Sequence, residues 1–156
     1  MDLLQETDLL RKIPMFAKLN ASKLKLLAFT SDLVMYEPGD AVFYVGDPAD
    51  CAYIIVEGAI DVMTETDAGN LVALTLHENQ LFGEMAVLSN APRSATLKAS
   101  GKATVMKISA EMFLKLLSEN SDLALDVLRQ LSGKLAKSHR QVEVLQQQLE
   151  QQSSAT

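Results

Sequence analysis

One short stretch of the sequence places a glutamate and an arginine where they could bind a phosphorylated sugar. Gly83 precedes Glu84, and Pro92 precedes Arg93. A helix that opens after a glycine presents unpaired backbone N–H groups and the positive end of its dipole, and both attract an anion. A guanidinium binds phosphate through two parallel hydrogen bonds, and a carboxylate accepts a hydrogen bond from a hydroxyl. The stretch therefore predicts a sugar-phosphate pocket between a strand end, a short helix and a returning strand.

The run from Phe82 to Ala99, FGEMAVLSNAPRSATLKA, closely resembles the phosphate-binding cassette of cyclic nucleotide-binding domains. Such domains occur in the catabolite activator protein, in regulatory subunits of cyclic-AMP-dependent kinase and in cyclic-nucleotide-gated channels. A motif this long and ordered is far more specific than a three-residue match. The resemblance implies that Glu84 binds the ribose 2′-hydroxyl, that Arg93 binds the cyclic phosphate and that nearby backbone amides complete the phosphate cradle. The implied ligand-binding residues are Phe82, Gly83, Glu84, Met85, Ala86, Arg93, Ser94 and Ala95.

Glu84 and Arg93 also have a structural interpretation, as an ion pair inside an ordinary β-domain, because buried arginines usually have a partner. Domains of this family that have lost their ligand usually lack the glutamate or the arginine, and this chain has both. The resemblance therefore favours a cyclic-nucleotide-binding regulatory domain. A nucleotide-free jelly-roll interaction or dimerisation domain is the alternative.

Ser94 bears on which base is bound. In the family, threonine at this position tends to favour cyclic GMP and alanine accompanies cyclic AMP, whereas serine permits either. Serine lacks the methyl group that restricts the rotamer of threonine. We expect cyclic AMP as the ligand, with cyclic GMP as the alternative, and no cofactor.

Composition narrows the class of protein. The 156 residues suit a single domain, 1–156, and the net charge of −6 argues against direct nucleic-acid binding. Cys51 is the only cysteine, and its apolar surroundings predict a buried structural thiol. No apolar run is long enough to span a membrane, and the first residues lack the basic region of a signal peptide, so we expect a cytoplasmic protein.

Catalytic chemistry has little support in the sequence. His77 and His139 are far apart and have no cysteine near them at metal-ligand spacing. Glu84 has no second acid at a useful spacing, which argues against hydrolysis of a bound nucleotide. We expect a protein that is not an enzyme and holds no metal, and a phosphodiesterase-like enzyme is the weaker rival.

The hydrophobic pattern predicts an α+β fold. Residues 1–32 form an N-terminal helical unit, bent or ended at Pro14 and capped at Asn20 before its second helix. From 33 to 108 short β-rich runs alternate with turns, a pattern typical of a β-sandwich or barrel. The family resemblance implies, more specifically, an antiparallel β jelly-roll barrel with the cassette at 82–96. The expected strands are 33–36, 41–45, 52–56, 59–64, 71–76, 95–99 and 103–108.

The C-terminal helices occupy 109–151, and we expect residues 152–156 to be a frayed tail. Ser109 caps the first helix, and a long helix follows from about Asp122. Its apolar residues alternate spacings of three and four, which is typical of a heptad seam. The positions of the seam are Leu128, Leu131, Leu135, Ser138, Val142, Leu145 and Leu149, and Ser138 is its one polar break.

We expect the part of this helix before Ser138 to pack on the barrel, with Leu128, Leu131 and Leu135 as a lid over the pocket. The part beyond it would meet a partner helix, giving a homodimer or a complex with another protein. In the family, the N-terminal helical unit moves when ligand binds. We expect this chain to signal by movement of its C-terminal helices. The family's usual effector domains do not appear in the sequence, so a stand-alone sensor and the sensory part of a longer protein stay equally open.

Overall fold

The computed structural model describes residues 2–154 and begins with a helical unit. Helix α1 spans Leu3–Arg11, a 3-10 turn spans Pro14–Phe16 and helix α2 spans Ala21–Thr30. The predicted break at Pro14 and cap at Asn20 are confirmed, since the Asn20 side chain accepts a hydrogen bond from the Lys23 N–H at 2.9 Å. This unit therefore follows from local capping signals.

Eight strands form two four-stranded antiparallel sheets. Their bounds are β1 Asp32–Tyr36, β2 Ala41–Phe43, β3 Cys51–Glu57, β4 Ile60–Thr66, β5 Gly69–Leu76, β6 Leu81–Phe82, β7 Leu97–Ala99 and β8 Ala103–Ser109. The strand orders are β1-β8-β3-β6 and β2-β7-β4-β5. The predicted jelly-roll arrangement is confirmed, but the two sheets remain separate rather than joining into a closed barrel.

Strand β3 shows how the layers are stacked. Cys51, Tyr53 and Ile55 point into a core between the two sheets, whereas Ala52 and Ile54 point into a second core. That second core is shared with the helices, including Leu10, Phe16, Leu24, Leu27, Phe113, Leu116, Leu123 and Val127. A strand buried on both faces has a continuous apolar sequence, as CAYIIV does. Cys51 is buried, as predicted.

Two strands are shorter than predicted, and both lie beside the cassette. Strand β2 ends at Phe43 because the Tyr44 and Val45 N–H groups donate to the side chains of Asp47 and Thr96, each at 2.9 Å. Strand β7 begins at Leu97 rather than at residue 95. The backbone before it leaves the ladder and forms the wall of a pocket.

The C-terminal part consists of α4, Ala110–Glu119, and α5, Ser121–Ser154. Ser109 caps α4 as predicted, accepting from the Met112 N–H. Helix α5 continues through residues 152–154, where we expected a frayed tail, and residues 155–156 lie outside the described part of the chain. In the part that the structure describes, no helix combines the length and apolar character needed to cross a bilayer.

Candidate functional site

Arg93 is positioned by the backbone on both of its sides. Its N–H donates to the Asp47 carbonyl at 2.9 Å, and its carbonyl accepts from the Gly46 N–H at 2.8 Å. These two bonds tie the segment after Pro92 to the loop that follows β2. The arginine side chain is thereby directed into the protein, and the residue is only 3% exposed.

The Arg93 guanidinium lies among aromatic rings and backbone carbonyls. It donates through Nη1 to the Gly83 carbonyl and through Nη2 to the Cys51 carbonyl, each at 2.5 Å. Its central carbon lies 4.2 Å from the centre of the Phe43 ring and 5.7 Å from that of Tyr53, both within cation–π range. The Tyr53 ring in turn stacks on Phe82, at 4.9 Å between centroids. The rings hold the guanidinium plane while leaving much of its hydrogen-bonding capacity unused.

No carboxylate among the described residues forms an ion pair with Arg93. Its Nε is buried and has no hydrogen-bond partner within the described part of the chain. The structural interpretation, in which Glu84 pairs with Arg93, is therefore wrong, because the carboxylate pairs elsewhere. A buried arginine that binds only neutral carbonyls still has N–H groups and a positive charge to offer an anion.

Gly83 begins the short cassette helix α3, Glu84–Ser89, from a left-handed conformation with φ of 75°. A Cβ at Gly83 would lie 2.7 Å from Arg93 Nη1, so a side chain here would collide with the guanidinium. No side chain caps α3 at Gly83. The first N–H groups of a helix have no acceptor within it. Glu84, Met85 and Ala86, which begin α3, line the same pocket as Arg93.

The Glu84 carboxylate pairs with an amine from a distant helix. Lys134 of α5 donates through Nζ to Glu84 Oε1 at 2.5 Å and to the Leu81 carbonyl at 3.0 Å. Glu84 is 1% exposed, whereas the Lys134 side chain is 35% exposed. The pair therefore joins a buried acid of the cassette to a partly solvated base of the C-terminal helix.

The cassette, β4, β5 and α5 together line a pocket of about 650 Å³, a typical volume for a small-molecule site. Three of its lining side chains, Arg93, Lys134 and Lys137, are cationic, and Glu84 is its only carboxylate among the described residues. The protein as a whole is acidic, at −6. A locally positive pocket in an acidic chain is suited to an anionic ligand.

All of the predicted ligand-binding residues line this one pocket: Phe82, Gly83, Glu84, Met85, Ala86, Arg93, Ser94 and Ala95. The three predicted lid leucines do not. Leu128 and Leu135 are 57% and 72% exposed, and Leu131 packs on the core beneath the helices. The face of α5 that reaches the pocket carries Gln130, Gly133, Lys134 and Lys137 instead. The lid prediction followed the apolar seam, which is rotated away from the pocket.

Sequence reasoning missed the aromatic residues around Arg93 and the lysine on Glu84. Phe43 and Tyr53 resemble ordinary core residues in the sequence, and nothing distinguishes them. Gly133 did carry a signal, since an isolated glycine within a helical pattern often has a packing or functional reason. It lies beside Lys134 on the pocket-facing side of α5.

Burial shifts the pKa values of two titratable side chains near Arg93, those of Cys51 and Tyr53. Burial raises the pKa of the Cys51 thiol and, more strongly, that of the Tyr53 phenol. The hydrogen bond from the Cys51 thiol lowers the pKa of Asp50, and the charge of Arg93 contributes a smaller part. Cys51 and Tyr53 therefore serve as neutral packing groups. No three His, Cys, Asp or Glu side chains cluster as a metal site within residues that the structure describes.

Comparison with known proteins shows which proteins this chain is similar to. The family model described as "Cyclic nucleotide-binding domain" matches residues 33–120. A cAMP-dependent protein kinase regulatory subunit from Mycosarcoma maydis is 34% identical over 113 residues, covering 69% of this chain and 22% of that protein. Across three such kinase subunits, the chain spans only 22–35% of their length.

Two solved structures have the same fold. The sensor domain of the transcriptional regulator DNR from Pseudomonas aeruginosa matches with a TM-score of 0.73 and 26% identity, covering 88% of this chain and 93% of that one. A cyclic nucleotide-binding-like protein from Brucella abortus matches with a TM-score of 0.60 and 30% identity, covering 73% and 98%. Both are similar to this chain over most of their own length.

Proposed function

This chain belongs to the cyclic nucleotide-binding domain family, and from that premise we propose that it is a non-enzymatic sensor that binds cyclic AMP. In this proposal Arg93 holds the cyclic phosphate and Glu84 accepts a hydrogen bond from the ribose 2′-hydroxyl. The backbone amides at the start of α3 complete the phosphate site. The protein acts in the cytoplasm and contacts neither nucleic acid nor membrane directly.

The single observation that carries the proposal is the state of Arg93. Its guanidinium is buried, makes hydrogen bonds only to carbonyl oxygens and has an unsatisfied Nε. Burying a charge without a counter-charge is costly, so such a group persists where it has a role. A phosphate in the adjoining pocket would supply the missing negative charge and acceptors.

The choice of cyclic AMP depends on Ser94. This side chain is exposed and lines the pocket beside Arg93. Serine can bond a base edge but does not impose the rotamer that threonine would, so cyclic GMP stays the alternative ligand. The matched kinase subunits are described as cAMP-dependent, which favours the same choice.

We propose that the signal leaves through α5. This helix contributes one wall of the pocket and then extends away from the domain. A ligand shifts the position of such an element only by its different affinity for the two arrangements. The exposed apolar stripe beyond Ser138 would meet a second copy or another partner, and includes Val142, Leu145 and Leu149.

Titration calorimetry tests the binding proposal. The purified chain is titrated with cyclic AMP, cyclic GMP and cyclic di-GMP, and with linear 5′-AMP as a matched control that has the same base and sugar. We expect binding of cyclic AMP at least about tenfold tighter than that of either cyclic GMP or 5′-AMP, a difference of about 1.4 kcal/mol. Tighter binding of cyclic GMP than of cyclic AMP would make cyclic GMP the ligand and leave the rest of the binding proposal unchanged.

Failure of every nucleotide to bind a folded chain would favour the nucleotide-free interaction domain. Overnight incubation with cyclic AMP followed by chromatography provides the enzymatic control. Accumulation of AMP would contradict the non-enzymatic part of the proposal.

A further inference from the structure

The ion pair between Lys134 and Glu84 differs in kind from three ion pairs on the surfaces of helices. Arg11–Asp8, Arg129–Asp126 and His139–Glu143 each join residues three or four apart on one helix. Pairs of that kind contribute little to stability. Lys134–Glu84 instead joins two elements 50 residues apart and involves a carboxylate that is 1% exposed.

The Lys134 amine lies where the proposed ligand needs to be. In the proposed site, Glu84 must accept a hydrogen bond from a ribose hydroxyl. In the structure its Oε1 already accepts from Lys134 Nζ at 2.5 Å, and the same amine donates to the Leu81 carbonyl. The Glu84 side chain is only 1% exposed, which leaves little room for a second donor beside the amine, so ribose and ammonium compete for it.

Lys134 can leave at modest cost, whereas Glu84 cannot. The lysine side chain is 35% exposed and is attached to a helix whose residues from Leu135 to Ser153 are all exposed. An ammonium that swings outward regains its hydration. Glu84, however, would be a buried charge without a partner unless another donor replaced the amine. A sugar hydroxyl is such a donor.

We propose that Lys134 is a tethered competitor of the nucleotide: its amine occupies the Glu84 carboxylate until the ribose displaces it, and this displacement releases α5 from the cassette. The inference rests on the proposed function and adds the residue through which ligand binding is transmitted to the helix. The contact is polar and specific, unlike the apolar lid that the heptad seam predicts. It lowers nucleotide affinity, and in return it makes the position of α5 depend on nucleotide.

Amine labelling of the unmodified protein tests the displacement directly. The chain is treated briefly with acetic anhydride with and without saturating cyclic AMP, and the modified lysines are quantified by peptide mass spectrometry. We expect the reactivity of Lys134 to rise about tenfold with nucleotide, because its ion pair with a buried acid is replaced by water. Lys115 on α4 is exposed and does not line the pocket, so its reactivity serves as the internal control.

A pair of variants tests whether Lys134 lowers the affinity for cyclic AMP. Lys134→Met keeps the length of the stem but removes the competing charge, and we expect it to bind cyclic AMP about tenfold more tightly, or about 1.4 kcal/mol. Arg129→Met removes a charge from an exposed position of the same helix that does not line the pocket. We expect that control to change affinity by no more than about twofold, as is usual for an exposed charge.

The outcomes separate this inference from the proposed function. If cyclic AMP binds the unmodified chain but the reactivity of Lys134 is unchanged or falls, Lys134 is not displaced and the inference is wrong while the sensor proposal stands. Equal or weaker binding by a folded Lys134→Met protein has the same meaning. If no cyclic nucleotide binds the unmodified chain, calorimetry on the same sample shows that both proposals are wrong. Labelling uses the natural sequence, so poor folding of a variant leaves the test intact.

Discussion

The two walls of the pocket are built in different ways. On the cassette side, Arg93 and Glu84 are almost completely buried and are held by strand ends, backbone hydrogen bonds and stacked rings. On the other side stands a single helix, α5. Its buried side chains, Leu123 and Val127, lie near its start, well before Lys134.

Because of this difference, the cassette wall is suited to recognising the ligand, whereas α5 is suited to moving in response to it. A wall whose charged side chains are buried keeps its geometry, because moving one of them would open a cavity or expose an unpaired charge. A helix packed only at its first turns, with one polar contact near the pocket, can change its orientation at much lower cost. We therefore expect changes on the cassette wall to alter affinity, and changes on distal α5 to alter assembly.

The largest effect should come from Arg93→Ala. Charge-assisted hydrogen bonds contribute roughly 1.5–3 kcal/mol each, so we expect affinity for cyclic AMP to fall about tenfold to a hundredfold or more. Arg129→Ala is the matched control, because that arginine is exposed on α5. Calorimetry measures the affinity, and circular dichroism checks the fold. A folded Arg93→Ala protein that binds like the natural chain would contradict the site assignment.

A smaller loss is expected from Gly83→Ala. The new Cβ would lie 2.7 Å from Arg93 Nη1, so the guanidinium must shift, and we expect affinity to fall by about tenfold, since such shifts cost on the order of 1–3 kcal/mol. Gly39→Ala is the matched control. It has a similar positive φ, of 84°, but nothing lies within 4 Å of its added Cβ. Both variants should lose similar stability in thermal melts, and only Gly83→Ala should lose affinity; equal affinity losses would show that backbone strain alone is responsible.

Removing the distal helix should change assembly more than binding. We expect the full chain to sediment as a dimer, because Val142, Leu145 and Leu149 form an exposed apolar stripe. A chain ending at Arg140 should sediment as a monomer, since the remaining seam is too short for a stable coiled coil alone. Its affinity for cyclic AMP should stay within about threefold, because Lys134 and the cassette remain.

Two results would contradict the roles expected for α5 in dimerisation and in the response to ligand. If both chains are monomers with and without nucleotide, the stripe is not a dimer interface. If hydrogen exchange in residues 122–150 is the same in the free and nucleotide-bound protein, α5 does not respond to the ligand even where the binding site is correct.

The smallest effect concerns the base. Ser94 is exposed at the pocket wall, and threonine would add a methyl group that restricts its hydroxyl. We expect Ser94→Thr to shift the preference toward cyclic GMP by roughly threefold to tenfold, the value of about one neutral hydrogen bond. Ser94→Ala is the control that removes the hydroxyl and should favour cyclic AMP. Competition binding measures both, and an unchanged ratio would mean that Ser94 does not contact the base.

Much of the protein could be predicted from the sequence, because the signals were local. Asn20 and Ser109 cap helices within three residues of themselves, and Pro14 ends the first helical segment. The cassette is a continuous run in the sequence, and its residues Gly83 and Arg93 line the same pocket.

Only the tertiary structure decided which groups the two functional side chains touch. Arg93 is held by Phe43, Tyr53 and the Cys51 carbonyl, and Glu84 is held by Lys134 rather than by Arg93. Cys51 lies 42 residues from Arg93 in the sequence, and Lys134 lies 50 residues from Glu84. The heptad seam of α5 predicted that leucines would form a lid over the pocket. In the structure the helix is rotated so that a polar face lines the pocket instead. Sequence spacing determines which residues share a face of a helix, and packing alone determines where that face points.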